Sequence, residues 1–421
     1  MDPGLPQAHA VEPWFWPDQA LPVAAMRERG VPRLPFVEFL LKVHSRCNLA
    51  CDYCYVYEGP DQSWREQPRT MSGETADLVC ARIAEHVRTH RLDRIRVVLH
   101  GGEPLLAGVS RIGHLVGRLR ATLPAGTRAD VLLQTNGLLL GEEVLAFCRA
   151  HGIRIGISLD GGPSTQDRHR KRPDGRGSHA SVGRALRLLT QPRHRDLWTG
   201  LLAVVDLASD PVETCRQLTE LGPPAVDLLL PLAHWGSPPP GHRAGDPSAA
   251  PYGDWLTAFF DAWYHEPAQP VRVPFFEAVI DALLGGHSAT EALGGGPARM
   301  VVVETDGSLT LSDLLKSAYP GAATTGRHLR SHSFDDLLDH PGVVARQLGA
   351  EGLAPECRAC PVMRVCGGGL YAHRYRPGSG FLHPSVYCAD LQAVISHVGE
   401  ALRADLARLD RALPARPMEG R

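Results

Sequence analysis

From residue 36 onward, short runs of apolar and β-branched residues alternate with segments whose apolar positions recur at helical spacing. The runs FVEFLLKV (36–43), RIRVVLH (94–100), ADVLLQTNG (129–137), IRIGISLDG (153–161), WTGLLAVVD (198–206) and AVDLLLP (225–231) predict strands. They are apolar on both faces, as a parallel sheet covered by helices requires. Helices are expected at 72–90, 107–122, 141–151, 180–191 and 211–221, the first with Ser72 as its cap and Glu74 in its opening turn. Six βα units in succession predict an α/β fold, a partial (β/α)6 barrel, whose post-strand loops gather at one mouth.

A Pro/Gly-rich stretch, GSPPPGHRAGDPSAAP (236–251), breaks the pattern. An amphipathic segment (252–285), a hairpin-like VVVETDGSLTL (301–311) around Asp306-Gly307 and a cysteine-rich tail follow. The expected divisions are an extension (1–35), the barrel (36–235), a linker with bridging helices (236–300), a C-terminal cysteine-rich domain (301–400) and a terminal helix or tail (401–421).

Composition narrows the function classes. Lys plus Arg (44) and Asp plus Glu (46) nearly cancel, and no basic block is interleaved with aromatics, so no nucleic-acid partner is expected. The basic loop RHRKRPDGR (168–176) is either a local patch or a solvated loop. The acidic, proline-rich start lacks a signal-peptide pattern, and no run approaches the ~18 apolar residues of a membrane span, so a cytoplasmic location without membrane contact is expected. Ten cysteines in such a chain point to metal ligands rather than disulfides. Cys80, Cys148 and Cys215 lie singly on apolar helix faces and are expected to be core.

The other seven cysteines form two groups. In RCNLACDYCYVYEG, Cys47, Cys51 and Cys54 follow the first strand with C-x3-C-x2-C spacing and no fourth cysteine nearby. Three thiolates can hold three irons of a [4Fe–4S] cluster and leave the fourth open to substrate, whereas structural zinc would need a distant fourth ligand. In the tail, Cys357, Cys360 and Cys366 have C-x2-C-x5-C spacing, and Cys388 can complete a closed cluster or a zinc site.

The triplet, with Tyr53 before its last cysteine and GGEP after the next strand, resembles the radical S-adenosylmethionine (SAM) superfamily. That resemblance implies a SAM-binding [4Fe–4S] cluster whose open iron chelates SAM and cleaves it to methionine and a 5′-deoxyadenosyl radical. It also implies that Gly101, Gly102 and Glu103 line the methionine amino group, with Pro104 shaping the turn. Ser158, Asp160 and Asn136 would face the ribose and neighbouring polar groups, and Arg170 the SAM carboxylate. Asn-Gly and Asp-Gly are also ordinary turn formers.

The second group resembles the SPASM extension of radical SAM peptide maturases. The family's usual additional cysteines fall here on Leu370 and Ser312, so one auxiliary [4Fe–4S] cluster is expected rather than two. The stretches CDYCYVYEGPDQSWREQP, PPAVDLLLPLAHW, FFEAVIDALLGG, VVVETDGSLTLSDLLKSAY, HSFDDLLDHPGVVARQLG and FLHPSVYCADL resemble FxsB-type maturases between about residues 35 and 400. This implies a three-residue cyclophane, a carbon–carbon bond between an aromatic ring and the β-carbon two residues later, in a ribosomally made precursor peptide carrying a Phe-x-Ser type motif. After one hydrogen atom is abstracted, one electron and one proton must still leave. The auxiliary cluster can accept that electron; the separate electron that cleaves SAM is supplied to the first cluster by an external flavodoxin- or ferredoxin-type donor. Asp61, Glu304 and Asp306 are proton-acceptor candidates, each also readable as structural. Gln62 and Trp64 either face substrate or clamp the cluster loop, and Trp235 is expected at the barrel mouth, placed to stack on a peptide aromatic. The 35 residues before the first strand are too few for a winged-helix leader-binding module, so leader recognition is expected on the barrel edge, the tail or another protein.

Overall fold

The structure is a computed structural model that describes residues 15–16, 19–242, 246, 248–268, 271–286 and 290–412. Parts of the expected N-terminal extension, proline-rich stretch and terminal tail lie outside the described residues.

The six predicted strands are present as β1 (Glu38–His44), β2 (Arg94–Gly101), β3 (Arg128–Thr135), β4 (Ile153–Ser158), β5 (Trp198–Val204) and β6 (Val226–Leu229). Each pairs in parallel with its neighbour in the chain, the right arrangement for a half-open βα barrel. Between them run α1 (Gly73–His90), α2 (Val109–Thr122), α3 (Glu142–Ala150), α4 (Pro163–His169), α5 (His179–Leu189) and α6 (Pro211–Thr219). The short α4 was not expected; it starts with Pro163 at its first position, where proline's missing N–H costs nothing.

Helix α1 shows how the sequence specifies these elements. Ser72 Oγ accepts from Thr75 N, and Glu74 lies in the positive first turn. Its buried face, including Val79, Cys80, Ile83 and Val87, joins the core with Phe39, Leu41, Ile95 and Val97 of β1 and β2. Each such buried aliphatic side chain stabilises the fold by roughly 1.5–3 kcal/mol. Cys80, Cys148 and Cys215 are all buried core residues, and burial pushes their thiols up to about 12, 12 and 11.

Beyond β1 the sheet continues. The hairpin segment supplies β7 (Met300–Val303), parallel to β1, then β8 (Ser308–Thr310) and β9 (Thr324–His328), giving nine strands in the order β6-β5-β4-β3-β2-β1-β7-β8-β9. The predicted Asp306-Gly307 hairpin exists, but it is the edge of the barrel's own sheet. The 252–285 segment is two helices, α7 (Pro251–Tyr264) and α8 (Pro274–Leu283), against which the long α9 (Cys388–Ala412) packs. Asp390 Oδ1 accepts from Tyr252 N and Gly253 N at 2.8 and 2.9 Å, joining the start of α9 to the start of α7. No helix among the described residues is long and apolar enough to cross a membrane.

Candidate active site

The first cysteine group leaves β1 in a tight loop. Cys54 N donates to Cys51 O, and Ala50–Cys51 forms a two-residue antiparallel pair with Arg170–Lys171, so the loop after β4 is stitched to the cysteine loop. The loop after β2 lies beside it: Gly102 N donates to His44 O, and Glu103 N to Arg46 O. A Cβ on Gly101, which has φ +151°, would sit 2.0 Å from His44 O, and one on Gly102 would sit 1.9 Å from Tyr57 Oη. The two glycines are therefore required for the approach of the loops.

Glu103 is fully buried. Its Oε1 accepts from Thr135 Oγ1 (2.7 Å) and Leu105 N (3.0 Å), and its Oε2 from Asn136 N (2.9 Å). Burial raises its carboxyl despite these donors. Pro104 opens the turn Pro104–Ala107 that Glu103 caps. Asn136 donates to Asn48 Oδ1 at 2.8 Å and to Cys47 Sγ at 3.7 Å, which places it directly against the cysteine group. Ser158, at the end of β4, accepts from Gln134 Nε2 at 3.1 Å.

The chain's clearest anion cradle adjoins Cys51. Tyr53 Oη donates to Asp160 Oδ2 at 2.5 Å, Arg170 Nη1 donates to Tyr53 Oη at 2.9 Å, and Asp160 Oδ1 accepts from Val204 N. Arg170 Nε is buried with no hydrogen-bond partner, a guanidinium holding a donor in reserve. Such a group suits a carboxylate, as the resemblance to SAM enzymes implies. Burial raises the Asp160 carboxyl even with Arg170 opposing it.

The sulfurs themselves discriminate between metals. Zn–S bonds of about 2.3 Å bring tetrahedral ligands to within about 3.8 Å of one another. Among the described residues, neither cysteine group has three sulfurs within 4.8 Å of each other. An iron–sulfur cluster places each ligand on a different iron and does not require that spacing. Burial pushes the Cys47 and Cys51 thiols up to about 12 and 11 and raises Cys54, so iron must displace protons to bind.

The second group also converges. Cys357, Cys360, Cys366 and Cys388 line one cavity with Met363, Pro384 and Gln392. Gln392 Nε2 donates to Cys360 Sγ at 3.5 Å. Cys388 is the first residue of α9, and the loop after Cys366 is three glycines with positive φ whose carbonyls all accept from Arg374. A Cβ on Gly367 would fall 1.9 Å from Gly295 N.

The structure finds structural partners for several other candidates. Asp61 accepts from Ser63 N and Gly321 N, tying the cysteine loop to the turn at 321. Asp306 accepts from Ser308 N, Ser308 Oγ and Gln67 Nε2, which consumes it in the hairpin turn. Gln62 donates to Tyr57 O and Gly59 O and accepts from Trp64 Nε1, while the Trp64 ring lies between Arg46 and Arg65. Trp235 donates to Pro384 O, and Arg376 covers its ring, so it joins the barrel to the tail.

Glu304 leads to a network that the sequence did not reveal. It pairs with Lys316 at 2.6 Å, Lys316 lies 3.9 Å from Asp313, and Asp313 pairs with Lys42. All four are buried. Lys42 of β1 is in register with His100 of β2, whose imidazole burial pushes down to about 4. Burial works to raise the Asp313 carboxyl, but Lys42 and Lys316 overcome it and hold it below the usual range. Asp313 Oδ1 nevertheless has no hydrogen-bond partner. The only sequence signal was a lysine within an otherwise apolar strand.

Comparison with known proteins fits this geometry. Residues 41–204 match the model of the radical SAM superfamily. The chain is 27% identical over 385 residues to the serine-type anaerobic sulfatase-maturating enzyme of Klebsiella aerogenes, covering 87% of this chain and 89% of that one. It shares its fold with native anSMEcpe with bound AdoMet and Kp18Cys peptide, at TM-score 0.76 and 21% identity over 88% of this chain and 99% of the other. Streptococcus suis SuiB bound to precursor peptide SuiA is similar at TM-score 0.55 and 12% identity over 87% of this chain and 78% of the other.

Proposed function

We propose, from the premise that residues 41–204 belong to the radical SAM superfamily, that this enzyme forms a carbon–carbon cyclophane crosslink in a ribosomally made precursor peptide. The observation that carries the two-cluster reading is the pair of cysteine groups, a triad whose loop is paired to the Arg170 loop and a quartet that lines one cavity. The crosslink itself rests on the resemblance of the longer stretches, VVVETDGSLTLSDLLKSAY among them, to FxsB-type maturases. Cys47, Cys51 and Cys54 hold the [4Fe–4S] cluster, which with SAM supplies the hydrogen-atom abstractor. Arg170 takes the SAM carboxylate, with Tyr53 and Asp160 fixing its orientation.

Joining a ring carbon to a side-chain carbon breaks two C–H bonds. One hydrogen leaves as an atom, and the other as a proton plus an electron. Cys357, Cys360, Cys366 and Cys388 hold an auxiliary [4Fe–4S] cluster as the electron acceptor. Asp313 is the proton acceptor: Lys42 pairs with its Oδ2, and its Oδ1 lies 3.9 Å from Lys316 without a hydrogen bond. A ring carbon that has lost its electron is strongly acidic, so a carboxylate of low basicity suffices. An external flavodoxin- or ferredoxin-type protein supplies the starting electron.

A second reading, oxidation of a protein serine to formylglycine, is favoured by the similarity to a serine-type sulfatase-maturating enzyme. It also removes two hydrogens, one from the serine β-carbon and one from its hydroxyl, and leaves an aldehyde. The test is anaerobic co-expression with the small peptide encoded beside the gene, followed by tandem mass spectrometry with and without a hydrazine. Loss of two hydrogens, suppressed fragmentation between an aromatic residue and the residue two positions on, and no hydrazone support the crosslink. Hydrazone formation supports formylglycine, and an unchanged peptide with SAM still cleaved overturns the substrate.

A further inference from the structure

We propose that His86, His90 and Asp335 form a third metal site, mononuclear and suited to a borderline divalent cation such as Zn²⁺. His86 and His90 lie one turn apart on α1, and Asp335 opens the turn Asp335–Leu337 in the C-terminal part of the chain. Asp335 Oδ1 is 2.5 Å from His86 Nδ1 and 2.9 Å from His90 Nε2. Among the described residues, this is the one set of three His, Cys, Asp or Glu ligands whose atoms all lie within 4.8 Å of one another. That compactness separates it from both cysteine groups. Two imidazoles and a carboxylate are a ligand set that zinc accepts, with water completing the shell.

The surroundings of His86 favour a cation over a simple hydrogen bond. Its ring is 1% exposed and packs among Phe36, Phe39 and Phe334, with centroids 5.8, 6.0 and 6.1 Å away. Its Nε2 is buried and makes no well-formed hydrogen bond, the Phe36 backbone offering the ring only a weak one. If neutral His86 donates from Nδ1 to Asp335, Nε2 is left as a bare lone pair among aromatic rings. The other neutral tautomer puts an N–H there, a better tenant beside electron-rich rings, but then turns a lone pair toward the Asp335 carboxylate. A cation ligated by Nδ1 and Oδ1, which would part them from 2.5 Å to the roughly 3.3 Å of tetrahedral zinc ligands, resolves both conflicts and fixes the Nε2–H tautomer. The third ligand, His90, also faces that oxygen, and the 22% and 33% side-chain exposure of His90 and Asp335 leaves a flank open to water ligands. A metal here staples the barrel's α1 to the C-terminal segment, since the histidines and the aspartate come from opposite ends of the chain.

The test uses the tag-free, cluster-loaded enzyme under anaerobic conditions, dialysed against Zn²⁺ after a chelator wash. The expected result is one equivalent of zinc per chain, unchanged iron, a raised Tm, and an X-ray absorption first shell of nitrogen and oxygen only. His90→Gln and Asp335→Asn, both at partly exposed positions, are expected to weaken zinc binding at least tenfold with iron content intact. No retained zinc, sulfur in the zinc shell, or equal binding by the two variants overturns the site. Should the variants fold poorly, the absorption spectrum of the parent decides alone.

Discussion

The two cysteine groups use the same ligand in opposite settings. The triad sits among polar and charged groups: Asn136 against Cys47, the Arg170–Tyr53–Asp160 cradle by Cys51, and the Lys42–Asp313 pair further in. The quartet lines a cavity with Val362, Met363, Pro384 and Glu356, and nearby Arg374 spends its donors on the carbonyls of the glycine loop. A three-sulfur set with a guanidinium in reserve is built to bind a further molecule. A four-sulfur set with its neighbours already satisfied leaves no comparable donor free for a further molecule.

The comparison breaks most sharply by deleting sulfurs. Replacing Cys47, Cys51 and Cys54 with alanine is expected to abolish SAM cleavage and product together and to remove about four irons per chain; residual cleavage above background would remove the triad from the SAM site. Replacing Cys360 and Cys366 should instead lower crosslinked product at least 100-fold while SAM is still cleaved, as read by 5′-deoxyadenosine release. If cleavage falls equally, the quartet is structural and the division of labour is wrong.

A smaller effect sharpens the proton step. Asp313→Asn is expected to slow product formation by about 10²–10⁴-fold with deoxyadenosine release retained, whereas Asp306→Asn stays near the parent. The uncoupled release guards against misreading a misfolded variant. Arg170→Lys keeps the charge but loses the planar fork, and a rise of about tenfold in the SAM KM is expected from steady-state cleavage assays.

The mildest prediction concerns pH. Burial raises the triad thiols and also Cys357, Cys366 (to about 11) and Cys388, so ligands bind iron only by releasing protons. Reconstitution of both clusters is therefore expected to improve as pH rises through the neutral range, because the displaced protons are held more weakly there. A cluster assembled equally well at pH 6 and pH 8 would contradict protonated apo thiols.

Features written in contiguous residues were legible in the sequence. C-x3-C-x2-C, GGEP and the cap at Ser72 each declare themselves within a few positions, and the six strand runs fall within a few residues of the observed strands. A loop motif drew attention to Arg170, and the structure places it against Tyr53 and beside Cys51. Long-range pairing was not legible: β7 joins β1 across more than 250 residues, which moved a hairpin from the expected tail onto the barrel sheet. The buried charges failed for the same reason, since Lys42, His100, Glu304, Asp313 and Lys316 gain meaning only when three strands and a turn bring them together. Asp61 and Asp306 follow the structural one of the two readings the sequence left open. An acid near a motif looks like chemistry until its backbone donors are seen.

Cys388 is both a sulfur ligand candidate and the first residue of the 25-residue α9, whose opening turn also holds the start of α7 through Asp390. Oxygen that strips the quartet's iron would thus untie a helix as well as a redox centre. The start of α9 would then hang on Asp390 alone, beside a glycine loop that Arg374 still holds.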